Sequence, residues 1–368
     1  MRISDRYIGK QVLLGTLYAV LVLGMVLVLG NLFKQIQPLL VDMKAPLELV
    51  IRIVINVLPL SLMYTIPWGF LSAVLMVFGR LSSNQEITSF RVAGLSLVRL
   101  AMPVFVIGAA LSALSLWLNV SVVPHSRATM FQLIYDQASR DPKSLLKPGV
   151  VNGENFNQDS GSVPKLLIEG RTGDWVEGFH LYLSPKADSE NRDTTYVHAT
   201  RAAISVDKTK RQLVLKLEDA YAESRNEKGE VTMFLASVAE PVVFDLRDPK
   251  KPKANSMSNE QIRREIETNP LLPENQRLKL HTEIVTRYSF SMACFAFAFV
   301  AVPLGLQSRR RDSSMGLVYS LLIGAGYFLL TMLADQFKSD SGATMMLWAP
   351  NAACVLIGLF LFRRARFK

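Results

Sequence analysis

Cysteine is nearly absent, histidine is scarce, and every nucleotide-cradling motif is missing from this chain of 368 residues. The only two cysteines, Cys294 and Cys354, both fall inside apolar runs. There a thiol behaves as a small buried apolar group, which excludes a disulfide framework and a thiolate metal site. The four histidines, His125, His180, His198 and His281, show neither ligand spacing nor a His-Glu-x-x-His pattern, so a zinc hydrolase is excluded too. No glycine-rich loop ends in Gly-Lys-Ser/Thr, and the chain does not hydrolyse nucleotide by the phosphate-loop route. Ser61, Ser72 and Ser291 lie in apolar runs, but no histidine lies in such a run to activate them, which removes a Ser–His dyad at bilayer depth. Internal repeats and low-complexity tracts are lacking. No small-residue cleavage site follows the first apolar run, so no cleavable signal peptide is expected. Nothing points to a cofactor.

What the chain does have is apolar sequence, at 50% of residues, and an uneven positive charge. The formal net charge is +10. Residues 124–281 hold 23 Lys/Arg and 23 Asp/Glu, leaving 18 against 8 for the rest, so the whole excess lies in and beside the apolar runs. A nucleic-acid binder concentrates basic residues on its soluble part; this distribution suits headgroups and topology signals instead. Six runs reach the length of roughly 20 residues that a bilayer requires: Val12–Phe33, Leu49–Gly79, Leu100–Val123, Tyr288–Leu306, Gly316–Leu333 and Ala343–Phe362. The second contains Pro59 and Pro67, which predict a tilt or kink. Basic clusters precede span one (Arg2, Arg6, Lys10), join spans two and three (Arg80, Arg91, Arg99), follow span four (Arg309, Arg310, Arg311) and close the chain (Arg363, Arg364, Arg366, Lys368). With six spans all four clusters fall on one face. The positive-inside rule then puts both termini in the cytoplasm and residues 124–281 outside.

The outer segment reads as strands. Short alternating or β-branched runs occur at Lys165–Glu169, Phe179–Leu183, Tyr196–Val206, Gln212–Leu217, Val231–Ala236 and Val242–Leu246, separated by turn sequences such as Arg171-Thr-Gly-Asp. They predict a sandwich or open barrel of antiparallel strands. A helix opening on the capping box Ser258-x-x-Gln261 follows, and a polar helical stretch from Glu274 to Arg287 leads into span four. The expected domains are 1–123, carrying spans one to three; 124–257, the outer β domain; 258–287, a helical connector; and 288–368, carrying spans four to six.

Two groups of residues stand out as candidate sites. The first is the polar stretch Arg80–Leu97 between spans two and three. Ser83 and Glu86 have capping-box spacing, Ile87, Phe90 and Gly94 recur on one side, and Gly94 can stop a helix in the left-handed conformation. About ten residues of amphipathic helix are predicted, too few and too polar to cross a bilayer. Glu86 either caps its own helix or meets a soluble partner. The second group is charge near the outer face: Lys34, Arg52, Glu283, Arg287 and Asp335. Its cations either contact lipid phosphate or snorkel to the interface, with Glu283–Arg287 as a local i,i+4 pair.

Three motifs in this order resemble one family. Asp5-Arg6-Tyr7-Ile8-Gly9-Lys10, then Glu86-Ile87-Thr88 with Ala93-Gly94-Leu95-Ser96, then Ala301-Val302-Pro303-Leu304-Gly305 with the arginine cluster and Gly316, are similar to the lipopolysaccharide-export permeases LptF/LptG (YjgP/YjgQ). The resemblance covers the whole chain. It implies an α-helical membrane protein of six transmembrane helices, three plus three, with an inserted extracytoplasmic β-jellyroll-like domain. It implies an ABC-transporter subunit, not itself an enzyme, in the bacterial inner membrane. The implied partners are a cytoplasmic ABC ATPase dimer, a sister permease subunit, a periplasmic jellyroll bridge protein and lipopolysaccharide. By the same resemblance the stretch around residues 80–97 is a coupling helix, with Glu86, Arg91, Ile87 and Phe90 meeting the ATPase. Lys34, Arg52 and Arg287 are the candidates for lipid phosphate. The opening is closer to the LptG type, and Glu283 to Arg287 ahead of span four closer to LptF. A membrane-anchored envelope sensor or scaffold with a periplasmic ligand-binding domain is the alternative from another class.

Overall fold

A computed structural model describes residues 3–37, 47–140, 149, 151, 162–172, 175–185, 194–207, 212–225, 230–238, 242–245, 254–270, 272–307, 314–336 and 343–366. The chain divides into two compact units: Met1–Lys34, Ile51–Met130 and Pro252–Lys368 form one, and Gln35–Val50 with Phe131–Lys251 form the other.

Long helices, most of them apolar, build the first unit. They are α1 (Ile3–Gln37), α2 (Leu47–Ser83), α4 (Leu97–Trp117), α7 (Glu274–Ser291), α8 (Ala293–Gln307), α9 (Ser314–Gln336) and α11 (Ala349–Arg366). Short α3 (Glu86–Val92) joins α2 to α4, α6 (Asn259–Thr268) precedes α7, and α10 (Ala343–Met346) precedes α11. A π-helical turn at Leu118–Val122 carries α4 on into α5 (Val123–Arg140). Among the described residues, Ile3–Gly30, Glu48–Ser83, Leu97–Leu133 and Gln276–Leu306 are long and apolar enough to cross a membrane, and Val318–Ala334 is a shorter apolar helix. Pro59 and Pro67 both lie inside the unbroken α2.

The buried cluster of this unit runs through Phe70, Val74 and Phe78 of α2, Leu100 and Val104 of α4, and Phe297 and Ala301 of α8. With lipid as apolar as leucine, such helices associate through close packing and interhelical hydrogen bonds, and small residues allow the approach. A Cβ on Gly358 would lie 2.5 Å from the Phe299 carbonyl, so α11 and α8 touch backbone to backbone there.

Span four breaks at Met292, between α7 and α8. In hydrocarbon the backbone groups around a break need partners from within the protein. Neighbouring helices supply them: the Phe295 amide donates to the Ser112 hydroxyl at 3.0 Å, and the Asn351 amide donates to the Ser289 carbonyl at 2.7 Å. Asn351 also accepts from the Tyr327 hydroxyl at 3.2 Å, and so joins α7, α9 and α11. Asn119, at the π-helical turn, donates to the Ser291 hydroxyl at 2.8 Å.

The second unit is an antiparallel sheet: β1 (Ser162–Thr172), β2 (Trp175–Pro185), β3 (Thr194–Asp207), β4 (Gln212–Arg225), β5 (Val231–Val238) and β6 (Val242–Asp245). Strands one to five follow each other in space as in sequence, and β6 pairs with the start of β4. Among the described residues every pairing is antiparallel and the order is a meander. All six predicted strand positions are occupied, and β4 runs eight residues past the Leu217 at which the predicted strand ends.

One face of the sheet is apolar and buried, with Leu166, Ile168, Val176, Phe179, Leu181, Ala199, Ala202, Leu217 and Ala220. Val176, Ala202 and Leu217 form one row across three strands, and Phe179, Ala199 and Ala220 form another. Two residues per strand separate these rows, where strict alternation would leave one. The extra step is taken at Gly178 (φ 62°) and Asp219 (φ 50°), left-handed positions that glycine and, among other residues, aspartate tolerate best. A crease crosses the sheet as a result, and both rows stay on the buried side. On the opposite face His180 Nδ1 lies 2.8 Å from the Tyr196 hydroxyl and Nε2 lies 3.3 Å from the Glu169 carboxylate.

Candidate functional site

The polar stretch after span two folds differently from its spacing. Ser83 does not cap a helix. It is the last residue of α2, and its hydroxyl donates to the Arg80 carbonyl at 3.0 Å. The chain turns at Asn84 and Gln85, and α3 begins at Glu86 after a left-handed Gln85 (φ 60°) that makes no side-chain cap. The predicted capping box at Ser83–Glu86 is therefore corrected: α2 continues into the polar segment and uses up the hydroxyl, and α3 has seven residues where about ten were predicted. The box at Ser258 does form, with Ser258 Oγ accepting from the Gln261 amide at 3.2 Å and the Gln261 side chain accepting from the Ser258 amide at 2.8 Å.

The end of α3 follows prediction. Gly94 is left-handed at φ 82°. The Leu95 amide donates to the Phe90 carbonyl and the Gly94 amide to the Arg91 carbonyl, each at 3.0 Å. This is the Schellman pattern, completed by half-buried Phe90 and Leu95, which pack against one core cluster. Ser96 then opens α4, its hydroxyl accepting from the Arg99 amide.

These turns give α3 two faces. Ile87 is 6% exposed within the core cluster and Phe90 packs beside it, whereas Arg91 is exposed and Val92 is 85% exposed. Glu86 is half-buried at the start of α3. Its carboxylate accepts from the Tyr7 hydroxyl at 3.0 Å and from the Asn84 side-chain amide at 3.4 Å. Near it, Arg80 donates to the Gln11 side chain at 2.7 Å, Arg99 pairs with Asp5 at 3.6 Å, and the Ser82 hydroxyl donates to the Leu306 carbonyl at 2.9 Å. The four candidate coupling residues thus share one short helix: Ile87 and Phe90 anchor it, and Glu86 and Arg91 bear its charge.

The candidate phosphate ligands do not form a group of that kind. Lys34 belongs to the last turns of α1, and its side chain lies outside the described residues. Arg52 is exposed near the start of α2. Arg287 is only 4% exposed. Its guanidinium donates to the Asn259 side chain at 2.8 Å, to the Ala254 carbonyl at 3.1 Å and to Glu283 at 3.4 Å. With its donors turned inward, Arg287 clamps α7 to the start of α6. These three protein partners support a structural role for Arg287 beside the lipid-phosphate role expected from the sequence.

Sequence reasoning passed over two kinds of residue. Tyr7 sits in a motif noted only for its resemblance, and no local pattern links it to Glu86, 79 positions away. Ser112, Asn119 and Asn351 do carry a readable signal, since polar side chains inside apolar runs need partners at bilayer depth.

Long apolar helices around a continuous core, with a separate antiparallel sheet, define an integral membrane protein. The sequence profile of the lipopolysaccharide export system permease LptF/LptG matches residues 6–364, and the chain belongs to that family. The family consists of permease subunits, not hydrolases. No individual curated protein matches the chain.

Proposed function

We propose that the chain is one permease subunit of an ABC transporter that extracts lipopolysaccharide from the bacterial inner membrane. The lipid passes to a periplasmic jellyroll bridge leading toward the outer membrane. A separate cytoplasmic ATPase dimer drives the cycle, and a sister permease completes the membrane part. The observation that carries this reading is the family match across residues 6–364. In it α3 is the coupling helix: Ile87 and Phe90 seat it, and Glu86 and Arg91 meet the ATPase. Lys34 and Arg52 are the cations offered to lipid phosphate. Six spans, both termini in the cytoplasm, residues 124–257 as a jellyroll-like periplasmic domain and 258–287 as its connector complete the proposal.

Co-purification from native membranes in mild detergent tests it. An ATPase, a second permease of this family and lipopolysaccharide are expected in one peak with the chain. A single-chain species carrying ordinary phospholipid, under conditions where a control transporter complex survives, refutes it.

A further inference from the structure

Among the described residues the N-terminal end of α1 is strapped to the coupling segment by three side-chain bridges within two helical turns: Asp5 to Arg99 of α4, Tyr7 to Glu86 of α3, and Gln11 to Arg80 of α2. Beside them Ile8 and Val12 are fully buried in the cluster that also takes Ile87. Farther along, α1 stays close to α2, where Val20 lies against Gly69, although only 11% of its apolar window is buried. Among the bridges, the Tyr7 bond has a particular consequence. Gln85 provides no side-chain cap, so the first turn of α3 lacks the usual device that fixes the residues around it. The Glu86 carboxylate is held instead by the Tyr7 phenol on one oxygen and by Asn84 on the other. A carboxylate accepts about four hydrogen bonds. With two used, Glu86 is both oriented and able to receive an incoming cationic or amide donor.

We propose that Tyr7 is a positioning residue for Glu86, presetting its carboxylate for the partner ATPase and passing displacement of α3 into α1. The inference rests on the reading that α3 docks on that ATPase. In the docked complex the Tyr7–Glu86 bond persists, because the partner engages the remaining acceptor sites of the carboxylate. A push on α3 is then delivered to the N-terminal end of α1, where the three bridges lie.

The test uses the complete complex, with sister permease and ATPase, reconstituted in liposomes loaded with purified lipopolysaccharide. ATP hydrolysis and lipid release are measured together. Tyr7→Phe removes one hydroxyl and keeps the ring. It is expected to assemble in normal yield and to release about tenfold less lipid per ATP, the scale of a hydrogen bond to a charged group. Glu86→Gln is expected to lower the same ratio, and adding Tyr7→Phe to it to cause no further loss, as for two residues acting through one bond. Three results overturn the inference alone: Tyr7→Phe at the wild-type ratio while Glu86→Gln uncouples, losses that multiply in the double variant, or a Tyr7→Phe chain that fails to assemble, which makes the phenol a folding contact. A wild-type ratio in Glu86→Gln overturns the docking reading itself.

Discussion

Replacing Arg287 with methionine keeps most of the side-chain volume and deletes the guanidinium, which separates a structural clamp from a lipid contact. The change breaks bonds to Asn259, Ala254 and Glu283 at 2.8, 3.1 and 3.4 Å. It also leaves Glu283, itself 17% exposed, without its counter-charge. Losing one partner of a buried ion pair costs about 3–5 kcal/mol, and hydrogen bonds to charged groups contribute about 1.5–3 kcal/mol each. The Glu283 pair lies within α7, so the opening of α6 is governed by the bonds to Asn259 and Ala254, which at the lower figure sum to about 3 kcal/mol. That loss acts locally. Helix α6 is held to α7 by this clamp and by a small apolar cluster of Met257, Ile262 and Ile284. Its opening equilibrium should therefore rise by about a hundredfold. Hydrogen exchange of the full chain in nanodiscs reads this out: peptides from Asn259–Thr268 should exchange about a hundredfold faster in Arg287→Met, with α4 and α8 unchanged. Unchanged protection of α6, together with reduced retention of anionic lipid, would refute the clamp and favour the headgroup role.

Two further outcomes are expected. Gly358→Ala places a methyl 2.5 Å from the Phe299 carbonyl and should destabilise the membrane unit by about 2–3 kcal/mol, lowering the midpoint of thermal unfolding in detergent. Gly24→Ala is its control, because a Cβ there meets nothing within 4 Å. In the sheet, the Tyr196 phenol ionises above the ordinary value of 10.0, chiefly through burial and then through neighbouring Tyr182 and Glu169. The folded state keeps this proton at a pH where the unfolded chain releases it, so the group's contribution to stability is intact below pH 10 and is lost as pH rises through the folded value. Ultraviolet titration of phenolate should show a late component, shared with Tyr221, that Tyr196→Phe reduces; a titration unaltered by that substitution would contradict the assignment.

How much of this was legible depended on how local each determinant is. The capping sequence Ser-x-x-Glu/Gln occurs at Ser83 and at Ser258, and only the second forms the box. Ser258 follows a turn, whereas Ser83 is reached by a helix already under way. Strand positions were readable because alternation is a short-range signal. The missed part of β4, Glu218-Asp-Ala-Tyr-Ala-Glu-Ser-Arg225, is charged and alanine-rich, a composition that favours helix. It is drawn into the sheet by pairing, with Ala220 opposite Ala199 and Ala222 opposite Val197. At the site, Gly94 disclosed the end of α3 because a left-handed stop is a one-residue property. Glu86 was visible as a charge in a suggestive place, but its actual partner comes from the other end of the first span. The partners of Arg287 divide in the same way: Glu283 lies four residues away and could be read, whereas Asn259 and Ala254, 28 and 33 residues away, could not.

The hydrogen bonds across the break at Met292 also set an order of events during synthesis. Ser112 and Phe295 are separated by 183 positions, and Asn119 and Ser291 by 172. The third span therefore waits for nearly half the chain before its polar side chains find the fourth. Closing a loop of that length costs roughly 4–5 kcal/mol of chain entropy for a flexible connection. The sheet lies wholly inside this interval and is assembled from neighbouring hairpins, so each of its pairings closes a far shorter loop. Until the fourth span is made, Ser112 and Asn119 stand in an apolar helix without their partners. In this protein, translation decides how long those two side chains go unpaired.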